Sequence, residues 1–140
     1  MREAFKGFTK LGHTHEGIPI WSWKNAKRDK RFSTDQHVRY MLMIIERHNL
    51  IETKFVLVFD RQECKIDRKD IKVFIRLAQV INNYYPDIFH TCLVFPAGSF
   101  VRSVWKLVSK FLDERSKAKC IFLKTIEEGN QKLLEMLPEI

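Results

Sequence analysis

Glycine and proline are scarce, at 5 and 4 residues in a chain of 140, which excludes collagen-like and low-complexity disordered sequences. Cysteine is scarcer still. Cys64, Cys92 and Cys120 are odd in number and widely spaced, so neither a disulfide framework nor a zinc knuckle is expected. No apolar run approaches the ~20 residues needed to span a bilayer. The opening MREAFKGFTK lacks the apolar stretch of a secretory signal. There is no glycine-rich phosphate loop, no G-x-S-x-G, no H-E-x-x-H, and no pair of acids placed as general acid and base. Cys64 has no histidine partner, and His13-Thr14-His15 offers two imidazoles without a third ligand close by. The expectation is a non-enzyme with no metal or other cofactor, cytosolic, with any membrane contact peripheral.

What the chain does hold is apolar and basic. Hydrophobic residues make up 45%, 11 of them phenylalanine, enough for one domain over residues 1–140 with a thick core or a greasy pocket. The net charge of +8 attracts phosphates, whether of nucleic acid or of anionic lipid. Cys92 and Cys120 each fall in a short apolar run, where a reduced thiol behaves as a small hydrophobe.

Apolar periodicity alternates between strand and helix. Gly17 to Trp23 alternates as a half-buried strand does. Ser33-Thr34-Asp35-Gln36 is a capping box, opening a helix that runs to about His48 with Val38, Met41, Leu42 and Ile45 on one face. Phe55 to Phe59 is continuously apolar, as in a strand covered on both sides, and ends on Asp60. Asp67 can cap a helix that Pro86 stops. Thr91 to Phe95 predicts a third strand, Ser99 caps a helix to about Glu114, Cys120 to Leu123 predicts a fourth strand, and Leu133, Leu134 and Leu137 a final helix. This order predicts an α/β domain with a mostly parallel sheet and crossover helices, with ligands near the strands' carboxyl ends at Asp60, Pro96 and Leu123.

Several local signatures, taken in order from about Gly12 to Glu139, resemble the CRAL-TRIO family of phosphatidylinositol-transfer and retinaldehyde-binding proteins. His15-Glu16-Gly17-Ile18-Pro19-Ile20 looks like the family's D-x-x-G-R-P-V, and Phe55 to Asp60 like its strand ending in Asp. Tyr84-Tyr85-Pro86-Asp87 is close to Y-Y-P-E. Val94 to Phe100 with Trp105 is similar to I-N-A-P-x-x-F…W. Lys110-Phe111-Leu112-Asp113, Lys119 to Leu123, and Leu137-Pro138-Glu139 resemble K-P-F-L-D, K-I-x-F-L and L-P-x-E.

The resemblance implies a sheet floor with helices enclosing a lipid pocket, and a movable gate over it from Phe100 to Glu114. It implies that Asp87 and Lys119 help hold a headgroup, and that Phe95, Phe100 and Trp105 meet the ligand. Aspartate at 87 replaces the family's glutamate, Ser109 precedes Lys110 where the family has K-P, and the family's N-terminal helical bracket is expected to be absent. The function implied is that of a carrier, presenter or sensor of one phospholipid or other lipid at membranes. The alternative is an interaction module that keeps the fold without cargo and binds a small GTPase or another protein.

On the gate, Arg102, Lys106 and Lys110 recur every four residues, opposite an apolar side that includes Val104, Val108 and Phe111. A basic row beside an apolar one suits docking on an anionic bilayer, or simply a solvated side above a core side. Lys24, Lys27, Arg28, Lys30 and Arg31 form a second basic cluster, suited to phosphoinositides, RNA, a nuclear address or a solvated loop. Nucleic-acid binding is not expected, because Trp21 and Trp23 beside that cluster read as strand residues rather than base-stacking platforms.

Overall fold

The computed structural model describes residues 7–24, 31–61 and 66–138. Cys64, Lys27, Arg28, Lys30 and Glu139 lie outside the described residues. Strands β1 (Phe8–His13), β2 (Pro19–Lys24), β3 (Phe55–Asp60), β4 (Phe89–Phe95) and β5 (Cys120–Phe122) form one sheet in sequential order. β1 pairs antiparallel with β2; every other pairing is parallel. The helices are α1 (Thr34–Arg47), α2 (Leu50–Thr53), α3 (Arg68–Tyr84), α4 (Ser99–Val108), α5 (Glu114–Ala118) and α6 (Ile126–Met136). The α/β class with a mostly parallel sheet is as the sequence predicts.

Sequential strand order has a geometric consequence. Right-handed crossovers that always step the same way place their helices on one face of the sheet. α1 and α3 therefore share a face, where Met41, Ile44, Ile45, Val73 and Ile81 meet Trp21, Leu57 and Cys92. α6, after the last strand, covers the other face. There Leu133, Met136 and Leu137 cover Ile20, Val56, Val58, Leu93 and Phe95. Burial on both sides explains why Phe55 to Val58 is continuously apolar rather than alternating.

Local chemistry sets the helix starts. The Ser33 hydroxyl accepts from the Gln36 amide at 3.1 Å while Gln36 Oε1 accepts from the Ser33 amide at 2.8 Å. Asp67 and Asp70 make the same reciprocal pair at the start of α3, at 2.8 and 2.9 Å.

β1 is a strand that the periodicity did not predict, with Leu11 left exposed on the sheet's edge and a register shift between Lys10 and Gly12. Two expectations are corrected. The cap of α4 is Gly98 rather than Ser99, with no side-chain hydrogen bond. The long helix to Glu114 is two helices. α4 ends at Val108, a 3₁₀ turn spans Ser109–Phe111, Leu112 is extended, and Asp113 caps α5 by accepting from the Ser116 amide at 2.7 Å.

Candidate functional site

The helix-bearing face of the sheet is not filled to its end. Between it, α3 and α4 lies an open cavity of about 130 Å³. Leu57, Phe59, Val94 and Phe122 form its floor, Leu77 and Ala78 one wall, and α4 its roof. α4 reaches this place because Val101, Val104 and Val108 recur on one side of the helix and are buried there. Val104 and Val108 cluster with Ala78, and with Phe74 and Phe111 at the edge of that contact. Trp105, half-buried, leans over β5 with its ring 5.1 Å from that of Phe122. At the rim, Arg61 donates to the Pro96 carbonyl at 2.7 Å.

The outward side of α4 carries Arg102 and Lys106, and the 3₁₀ turn after it carries Lys110; all three are exposed. Beside this row the structure adds apolar groups that the periodicity did not reveal. Phe100 is 56% exposed and Leu107 41%. Seven residues apart, they lie on one flank of the helix. Arg102 also approaches the Phe122 ring, 6.0 Å from its centroid.

Among the residues expected to meet a ligand, Trp105 lines the cavity, and so do Val104 and Val108, which were expected on the apolar side of the gate. Phe95 does not. It lies on the opposite face of the sheet, buried among residues that α6 covers. Phe100 points to solvent, and Phe111 packs towards α3.

Asp87 and Lys119 are brought together as an ion pair, Lys119 Nζ donating to Asp87 Oδ1. That hydrogen bond, helped by the charges of Lys119, Arg115 and Lys54 around it, holds the Asp87 carboxyl below its ordinary range against an opposing desolvation. The pair precedes β4 and β5, so it sits at the amino ends of the strands, not at the carboxyl ends where ligands were expected, and outside the cavity lining.

The sequence did not mark the floor residues Leu57, Phe59, Cys92, Cys120 and Phe122 as lining a site; Cys92 and Cys120 were read only as small hydrophobes in apolar runs. Their shared signal is parity: each stands in register with, or two residues from, the next across the parallel strands. His15, weighed above for metal, donates from Nε2 to the Glu135 carbonyl at 3.1 Å. No described helix is long and apolar enough to cross a membrane.

The family described as CRAL/TRIO domain matches residues 6–139. The crystal structure of Sfh5 superposes with a TM-score of 0.72 at 15% sequence identity, covering 89% of this chain and 51% of that one. The chain thus spans about half the length of that structure, and the likeness is one of fold. No curated protein matches the sequence.

Proposed function

Because the chain belongs to the CRAL/TRIO domain family, whose members bind lipids, we propose that it takes up the apolar part of one lipid in the cavity between sheet, α3 and α4. The observation that carries this reading is the cavity itself, where Arg61 is the only charged residue among the described lining. Each CH₂ withdrawn from water into such a site contributes about 0.8 kcal/mol.

At about 130 Å³ the space holds something close to benzene in size. Sites for whole ligands run to roughly 300–1,000 Å³. The space is therefore too small for a whole lipid, and loading requires α4 to move outward. Its bounds suit that: an exposed glycine, Gly98, at the start and the 3₁₀ turn at the end. Arg102, Lys106 and Lys110 then meet anionic headgroups while Phe100 and Leu107 enter the interface. In this reading Lys119, with Lys54 and Arg115 near it, offers cations to a phosphate, and Asp87 accepts from headgroup hydroxyls. The chain acts as a carrier, presenter or sensor at the surface of an anionic membrane.

The test is to fill the cavity from α3. Ala78 is buried and lines it. Ala78→Phe should abolish uptake of a fluorescent phospholipid from vesicles while the circular dichroism stays native. Uptake at the original level by that folded variant would refute the site.

The small volume also favours a second reading, the fold kept without cargo as a docking module for a small GTPase or another protein. Saturable binding of such a partner by a protein that never loads lipid would support it.

A further inference from the structure

Cys92 and Cys120 stand directly opposite each other on β4 and β5. Neighbouring strands lie about 4.8 Å apart, within the roughly 4.4–6.8 Å between Cα atoms that a disulfide spans. Both side chains face the cavity, and they are the only nucleophilic groups among its described lining. Both thiols are free. The Cys120 thiol donates to the Ser116 carbonyl at 3.5 Å; the neighbouring Cys92 thiol draws Cys120 below the usual thiol range against the effect of its burial, and is itself pushed up, with burial adding to the rise. Cys120, half-buried, is the more accessible sulfur; Cys92 is 8% exposed. A low, reachable thiol beside a high, enclosed one is the arrangement of an attacking and a resolving cysteine.

We propose that Cys92 and Cys120 form a dithiol site that reduces a hydroperoxide entering the cavity and closes to a disulfide. The Cys120 sulfur attacks the outer peroxide oxygen. The O–O bond breaks, and the departing alkoxide takes up the proton that Cys120 gave up, leaving an alcohol and a sulfenic acid on Cys120. The Cys92 sulfur then displaces hydroxide from that sulfenic sulfur; hydroxide and the Cys92 proton leave as water as the S–S bond forms. Two electrons from the two thiols reduce the peroxide bond, and a small-molecule thiol restores the reduced pair by exchange. The apolar lining favours an acyl-chain hydroperoxide over hydrogen peroxide as the source, and this preference alone rests on the lipid-pocket reading.

The experiment uses the full chain in a Cys64→Ser background, fully reduced. It is mixed with vesicles of phosphatidylcholine hydroperoxide, with hydrogen peroxide, or with unoxidised phosphatidylcholine, and followed by intact mass and non-reducing peptide mapping. The expected product is a Cys92–Cys120 crosslink, formed roughly tenfold faster with the lipid hydroperoxide because binding holds it beside the sulfur. Cys92→Ser should stop at a sulfenic acid that dimedone traps on Cys120, and Cys120→Ser should not react. Thiols that stay reduced in both peroxide arms, or a Cys120→Ser variant that consumes lipid hydroperoxide as fast as the parent, would overturn the site. Equal rates with the two peroxides would overturn the acyl-chain source and uphold the dithiol. Binding of unoxidised fluorescent lipid to Cys92→Ser/Cys120→Ser separates the two readings. Lipid bound without crosslinking in the parent overturns the dithiol alone. Crosslinking by hydrogen peroxide without lipid binding overturns the pocket alone.

Discussion

The Trp105 ring lies 5.1 Å from the Phe122 ring, tilted by 53°, and this contact joins the roof helix of the cavity to the last strand of its floor. Removing it should both loosen the fold and free the roof. Trp105→Ala is expected to cost about 2 kcal/mol in urea denaturation, below the 3–5 of a fully buried tryptophan because this one is half-buried. Lipid exchange should quicken at the same time. A variant equally destabilised but exchanging no faster than the parent would show that the contact does not hold a gate.

The opposite face offers a control. A Cβ on Gly129 of α6 would overlap the ring of Phe95, which is fully buried. Gly129→Ala is expected to cost about 1–3 kcal/mol through overpacking. Shortening the ring in Gly129→Ala/Phe95→Leu should recover part of that loss in a double-mutant cycle. Lipid affinity, measured on the folded fraction, should not change, since the sheet separates this contact from the cavity.

Membrane docking is charged and therefore separable from packing. Each basic residue near an anionic surface contributes about 1 kcal/mol. Replacing Arg102, Lys106 and Lys110 together by glutamine should lower partitioning onto anionic vesicles by roughly a hundredfold and leave neutral vesicles unaffected. Co-sedimentation at two lipid compositions checks this. Phe100→Ser/Leu107→Ser should weaken both compositions alike.

Asp87 links the edge of the sheet to pH. Its carboxyl titrates below the ordinary value of about 3.9 when folded. The stability it supplies is therefore present above that value and lost as pH falls through the lower folded one. Asp87→Asn keeps a residue type that tolerates the φ of +61° found here while removing the charge. Melting curves should show parent and variant separated by a constant gap above about pH 5 and converging below about pH 4. A gap that persists into acid would mean that the charge is not what stabilises the parent.

A strained residue supplies the last prediction. Lys54, between α2 and β3, has φ 62° and ψ 177°, a conformation that glycine alone adopts without cost. Lys54→Gly should raise stability by about 1 kcal/mol despite glycine's greater freedom when unfolded. A lower melting temperature would contradict the strain.

The sequence was most readable where local chemistry decides the outcome. The Ser33–Gln36 and Asp67 caps are written in four residues each, and the apolar continuity of Phe55 to Val58 follows from two covered faces. That same continuity hid the facing of the strands. Where both sides are apolar, alternation cannot say which residues meet the crossover helices, so it offered no check on the resemblance that placed Phe95 at the ligand when it lies under α6. β1 was missed because an edge strand with an exposed Leu11 and a register shift loses the clean period of two. The break at Ser109–Phe111 was masked by apolar residues that continue on both sides of it, although Asp113 was a legible start signal for α5. The opposition of Cys92 and Cys120 is a product of register and is invisible in a linear chain.

The most direct test of the lipid-binding claim is native mass spectrometry of the protein as purified and after incubation with mixed liposomes, followed by extraction and identification of what it holds. One lipid per chain is the predicted result, lost in Ala78→Phe. A protein that remains empty in both samples, with its mass that of the bare chain, would contradict the account.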